Sequence, residues 1–309
     1  MSCPLDALTE LNLDDLMTSF GCDKQWLVSQ VLRRVFRGAA TTFAAQMAAF
    51  DTAVGERAQL AGAAQALLGA HYIKALHVAG RGHIPAQGPA LFLSNHPGMA
   101  DTVSLCAAIN RPDLKILAQR RPFLESLPNT ARHMFFVDDN LGKRVILAHE
   151  VAAHLRAGGA VLTFPAGGIE PDPDVADGAL LSLHDWTDSA RLIARMAPQT
   201  KLVPVLVRGV VWDKAARHWL ARLKRGRAAR EKCAAALQLL AMVSHGTRPT
   251  APHVRFAPPV SLADCGAPEA IHQAVIGRMR QMITSLPGRA APPTAAPFLW
   301  QKPPQPTVG

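Results

Sequence analysis

Over residues 1–75 apolar positions are dense and recur at helical spacing, so this stretch is predicted to be helical. Residues 29–50 are rich in Ala, Val, Leu and Phe with Arg33, Arg34 and Arg37 on one side, and 58–75 continue in the same manner. From residue 76 the grammar changes. Val78-Ala-Gly-Arg-Gly-His-Ile-Pro85 holds two glycines and a proline, which punctuate strands and turns. Short apolar runs at 90–94, 115–118, 133–137, 160–164 and 201–208 read as strands, and 101–109 and 142–156 as helices. Strands alternating with helices imply an α/β fold, a mostly parallel central sheet flanked by helices, behind an N-terminal helical region. The chain divides into 1–75, 76–286 and a tail over 287–309. In that tail Pro292, Pro293, Pro297, Pro303, Pro304 and Pro306 predict no regular structure.

Composition narrows the picture. A chain of 309 residues can bury a large core, and 49% hydrophobic with 18% charged residues suits an enzyme of ordinary to slightly apolar character. The net charge of +10 favours an anionic partner: a phospholipid surface, nucleic acid or an acidic carrier. Nothing resembles a helix-turn-helix, a zinc finger or an aromatic stacking strand, so no nucleic-acid partner is expected. Cys3, Cys22, Cys106, Cys233 and Cys265 are scattered without a Cys-x-x-Cys, which reads as reduced thiols of a cytoplasmic protein with no metal site. Asp6, Glu10, Asp14 and Asp15 oppose a signal peptide, and no uncharged apolar stretch approaches the roughly 20 residues of a spanning helix. Any work on lipid is therefore expected from the membrane surface, by peripheral association.

The densest chemistry lies in Ala90-Leu-Phe-Leu-Ser-Asn-His-Pro-Gly-Met-Ala-Asp101, where a predicted strand runs into a turn and a helix start. A histidine there can act as a general base near neutral pH if a carboxylate fixes its tautomer. The spacing alone says little, because His133-Met-Phe-Phe-Val-Asp138 repeats it. Context separates the two. Along a strand, residues five apart point to opposite faces, whereas His96 outside the first helical turn and Asp101 within it can converge. The bland alternative leaves His96 as a cap and Asp101 as a solvated first-turn carboxylate.

Four motifs in order then resemble the glycerolipid acyltransferase family, that of 1-acylglycerol-3-phosphate acyltransferase, over about residues 76–260. Asn95-His96-Pro97-Gly98-Met99-Ala100-Asp101 resembles its first motif. Phe135-Phe136-Val137-Asp138-Asp139 stands where its second falls. Phe164-Pro165-Ala166-Gly167-Gly168 is similar to its Phe-Pro-Glu-Gly-Thr motif, and Val203-Pro204-Val205-Leu206-Val207 to its proline-centred strand. The resemblance implies the acyltransferase fold over 76–286 and an O-acyltransferase with no cofactor. Acyl-coenzyme A or acyl carrier protein would be the donor and a lysolipid the acceptor. His96 would take the acceptor proton and Asp101 orient the imidazole. Gly167 and Gly168 would let backbone N–H groups approach the oxyanion, with Asn95, Phe164 and Pro165 beside the substrate.

Two departures bear on the acceptor. Where the family has an arginine expected to bind the acceptor phosphate, this chain has Asp139, with Lys143 and Arg144 as candidate substitutes. Ala166 replaces the third motif's glutamate, and Glu170 lies nearby. A carboxylate repels phosphate, so another head group, such as a lyso-aminolipid, fits better. Arg120 and Arg121 are candidates for the donor's phosphates. Residues 214–230 read as a basic amphipathic helix with Ala215, Trp219 and Leu223 on one stripe, suited to anionic headgroups. Two other readings stand beside acyl transfer. One is a non-catalytic lipid-binding relative; the other is a metal-dependent hydrolase using His96, Asp101 and His133 or Asp138.

Overall fold

The computed structural model describes residues 5–21, 26–98, 100–248, 250–286 and 297–298. The 76–286 region is built on one sheet, with strands β1 (Leu76–Ala79), β2 (Ala90–Ser94), β3 (Leu114–Gln119), β4 (Met134–Val137), β5 (Ala160–Thr163), β6 (Lys201–Arg208), β7 (His253–Phe256) and β8 (Pro297–Phe298). Their order is β4-β3-β5-β2-β6-β7-β1-β8. From β4 to β6 every pairing is parallel; β7 turns antiparallel to β6, and β1 runs parallel to β7. β7 was not anticipated, because four residues alternating as His-Val-Arg-Phe carry too short a pattern. Most of the Pro-rich tail lies outside the described residues, as do Cys3 and Cys22. Within the tail, Pro297–Phe298 pairs antiparallel with Leu76 and His77.

The apolar run Ala90-Leu-Phe-Leu-Ser94 is what places β2 in the middle. Every residue of it is buried, as expected of a parallel strand covered on both faces. Phe92 packs into one core with Leu105 and Ile109 of the helix Asp101–Ile109, and Leu91 and Leu93 into another with Leu155 and Ile193. The helix after β2 thus covers one face, while Ser189–Met196, which follows β5, covers the other. Adjacent parallel strands whose crossovers leave to opposite faces open a crevice at their carboxyl ends, where α/β sheets place ligands.

The N-terminal region is helical: Leu5–Phe20, Trp26–Arg57 and Leu60–Leu67, then a π turn over Leu68–Tyr72. The predicted 58–75 helix is shorter, since Ala58 takes φ +51 and Gln59 is extended ahead of Leu60. Asp51 anchors the long helix to the short helix Pro128–Ala131 ahead of β4 by accepting from the Thr130 N–H and hydroxyl, each at 2.7 Å. The expected 214–230 helix is broken into Asp213–Ala216 and Trp219–Arg222, and a new helix, Arg227–His245, starts after Gly226 at φ +87. His218 ends the first piece and caps the second, accepting from the Leu220 N–H. A local side-chain cap outcompetes continuation of a helix this polar.

Candidate active site

His96 and Asp101 leave the carboxyl end of β2 and meet. The imidazole Nδ1 lies 2.7 Å from Asp101 Oδ2. The geometry follows from the turn: Gly98 at φ +126 bends the chain back, and its N–H donates to the same Oδ2 at 2.8 Å. A side chain is strained at that φ, so glycine is needed. Oδ1 accepts from the N–H and hydroxyl of Thr102. With four donors on it and 1% of its surface exposed, the Asp101 carboxylate is fixed in place. His96 keeps 31% of its side chain exposed, so the ring is gripped at one nitrogen and open at its other edge. Phe164, at the end of β5, covers its face with ring centroids 4.4 Å apart.

His96 is bound along its backbone as well. Its N–H donates to Glu170 Oε2 at 3.0 Å, and its carbonyl accepts from the Glu170 N–H at 2.8 Å. Glu170 Oε1 accepts from the Ser182 hydroxyl at 3.0 Å and the Trp186 indole N–H at 2.9 Å. Burial raises the Glu170 pKa, and these donors only partly offset it. For His96, burial pulls the pKa down, but the Asp101 charge and hydrogen bond, with Glu170 behind them, outweigh burial and the opposing charge of Arg121. The imidazole is therefore held above its ordinary value. Sequence reasoning named Glu170 only as a neighbour of Ala166. The signal that could have found it is Glu170-Pro-Asp-Pro-Asp174, an alternating acid–proline run that must be extended.

The other candidates divide. Asn95 is buried and both ends of its carboxamide are engaged: Nδ2 donates to the Val207 carbonyl and Oδ1 accepts from the Val207 N–H, both at 2.8 Å. It ties β2 to β6 rather than facing substrate. The Gly167 N–H closes a turn on the Phe164 carbonyl at 3.0 Å, with Gly167 at φ +67, so it is not available to an oxyanion. The Gly168 N–H has no protein acceptor among the described residues. The Pro165 carbonyl holds the N–H and hydroxyl of Thr187.

The cations divide too. Arg120 pairs with Glu125 and lies over the Phe136 ring. Lys143 binds Asp138 at 2.9 Å, and Arg144 binds the Asp138 carbonyl at 2.8 Å and Asp139 at 3.5 Å. Lys143 and Arg144 follow β4, which β3 and β5 separate from β2 by roughly 14 Å at normal strand spacing, while Arg120 leaves the end of β3 beside them. Lys143 and Arg144 pair with the acids of the second motif, and Arg120 reaches Asp138 at 3.9 Å. Arg121 is different: it is exposed, and its charge acts on both His96 and Asp15.

His133 is set apart from Asp138, with its Nδ1 3.3 Å from the Leu114 carbonyl. No group of three His, Cys, Asp or Glu side chains among the described residues is arranged to hold a metal ion. Cys106, buried behind Asp101, has its thiol pushed up to about 12 by burial, which makes it a poor nucleophile.

This crevice falls inside a segment, residues 75–208, that matches the family model Acyltransferase. Residues 75–208 form an acyltransferase-family domain. The β2 turn, the Phe164 loop and β6 all belong to that acyltransferase domain. No curated protein matches the chain. Among solved structures, the 1-acyl-sn-glycerophosphate (LPA) acyltransferase PlsC from Thermotoga maritima is similar, at 15% identity and a TM-score of 0.42, over 92% of this chain and 97% of that one.

Proposed function

We propose that this acyltransferase domain moves a fatty acyl group from an acyl thioester to the hydroxyl of a lysolipid-type acceptor, with His96 as general base. The observation that carries the reading is the His96–Asp101 contact at 2.7 Å in a crevice of an acyltransferase-family domain. With Nδ1–H donated to Asp101, Nε2 presents its lone pair to the acceptor. As the acceptor oxygen forms its bond to the thioester carbon, its proton passes to Nε2 and the carbonyl becomes an oxyanion. Collapse breaks the C–S bond, and the thiolate takes the proton back from the imidazolium. Asp101 stabilises that imidazolium and holds its tautomer. The Gly168 N–H is the candidate oxyanion donor, since Gly167 is engaged. Arg121 is the candidate cation for a substrate phosphate at the mouth.

Access from a membrane surface is part of the proposal. No helix of the described residues is long and apolar enough to cross a membrane. Leu27, Val31 and Val35 form an i, i+4, i+8 stripe on Trp26–Arg57 and are 64–70% exposed, as are Trp219 and Leu223. Lys224 ties the Trp219 segment to the carbonyl of Phe20 at the end of the first helix. Apolar side chains with Arg34, Arg222 and Arg225 exposed beside them suit an anionic interface.

Acyl-coenzyme A and acyl carrier protein donors, each offered a panel of lysophospholipid and lyso-aminolipid acceptors, would identify the substrates by mass of the acylated product. Product with at least one pairing is expected. Vesicle binding without product from any pairing would favour the non-catalytic relative.

A further inference from the structure

A positioning role for Glu170 follows from what its carboxylate and backbone touch, and it rests on the proposal that His96 is the base. Glu170 brackets His96 on both sides of its Cα, through the His96 N–H and the His96 carbonyl. The ring is then left with only its own side-chain torsions, which Asp101 and Phe164 fix. Glu170 does not hang loose from a mobile loop. Its far oxygen is held by Ser182 and Trp186, and the segment after it is strapped to the end of β6. Asp172, buried, accepts from the N–H groups of Gly209, Val210 and Val211 at 2.8–2.9 Å. Asp174 takes Arg208 through both oxygens, at 2.8 and 2.9 Å. Pro171 and Pro173 between them fix φ and donate nothing, which keeps the acids pointing to separate anchors.

We infer that Glu170 is the positioning residue of this site: it fixes the His96 backbone and places a second carboxylate charge behind the imidazolium that forms during proton transfer. It would supply from four residues downstream the carboxylate that Ala166 lacks. The charged groups facing His96 are Asp101 and Glu170, which favour its protonated form, and Arg121, which opposes it.

Glu170→Gln tests this without changing size. A carboxamide has one acceptor oxygen and one donor group, so it cannot accept from His96 on one side and from Ser182 and Trp186 on the other. The kcat should fall about 10- to 100-fold, the scale of a slightly misplaced base, with acceptor KM within about twofold. The acidic limb of the kcat profile should move to lower pH. NMR titration of the His96 ring in the full chain should show the same downward shift whether or not an active substrate pair is known. That separates failure of this inference from failure of the acyltransfer reading.

If Glu170→Gln does not fold, Trp186→Phe removes one donor from the far oxygen and makes the carboxylate easier to protonate. A smaller downward shift of His96 is then expected. An unchanged His96 titration in a folded variant, or a lost activity with an unmoved pH limb, would reduce Glu170 to a packing residue and overturn the inference.

Discussion

The tautomer and charge of one imidazole decide what this crevice can do. His96 is held above its ordinary pKa of about 6.5, so the neutral base accumulates only as pH rises through that raised value. For folding the sign is the same as for any raised histidine. Its contribution to stability is fully present below about 6.5 and is lost as pH rises through the folded value. For catalysis, kcat/KM should climb along a limb lying above that of a free imidazole. Asp101→Asn removes the charge and the acceptor that fixes Nδ1–H. It is expected to lower kcat/KM by about 10²–10⁴-fold and to shift the limb toward lower pH, which a pH–rate profile measures. A limb unmoved by the substitution would separate Asp101 from the base. The His96–Asp101 meeting was legible in the sequence because a turn residue, Gly98, and a helix start stood between them. The backbone role of Glu170 was not, since it joins residues 74 positions apart.

At the scale of elements, apolar runs placed the parallel strands well. β2, β5 and β6 stand within a residue of the expected segments, because buried parallel strands are nearly pure apolar runs. What the runs could not show is how their ends are fastened. Asn95 does this for β2 and β6, and its amide continues their ladder beyond the last paired residues. Asn95→Ala would leave the buried N–H and carbonyl of Val207 unpartnered. It is expected to destabilise the fold by about 2–4 kcal/mol, read from the denaturant midpoint. A loss of activity with an unchanged midpoint would instead return Asn95 to the substrate. The 214–230 region was misread for a related reason. Its basic and apolar periodicity is real, but His218 caps a new turn within it and Gly226 stops it, and periodicity alone does not register a cap.

For the whole molecule, the sheet sets His96 and Asp101 at the carboxyl end of β2, and the N-terminal helices carry an exposed apolar stripe. The sign of the net charge, +10, was legible from composition and agrees with an anionic surface. The exposed stripe was not, because the same Leu and Val residues could have packed on the core. Replacing Leu27, Val31 and Val35 by Ser should weaken sedimentation with anionic vesicles, by about tenfold or more for three exposed apolar-to-polar changes, while leaving the fold intact. Binding that survives these changes would place the membrane face elsewhere. The central claim is the acyl transfer itself. Thiol release from acyl-coenzyme A and acyl carrier protein, with and without a lysolipid acceptor, tests it in wild type, His96→Ala and His133→Ala. Acceptor-dependent release is expected in wild type, abolished in His96→Ala and retained by whatever fraction of His133→Ala folds. Equal loss in both folded variants, or release that ignores the acceptor, would contradict it.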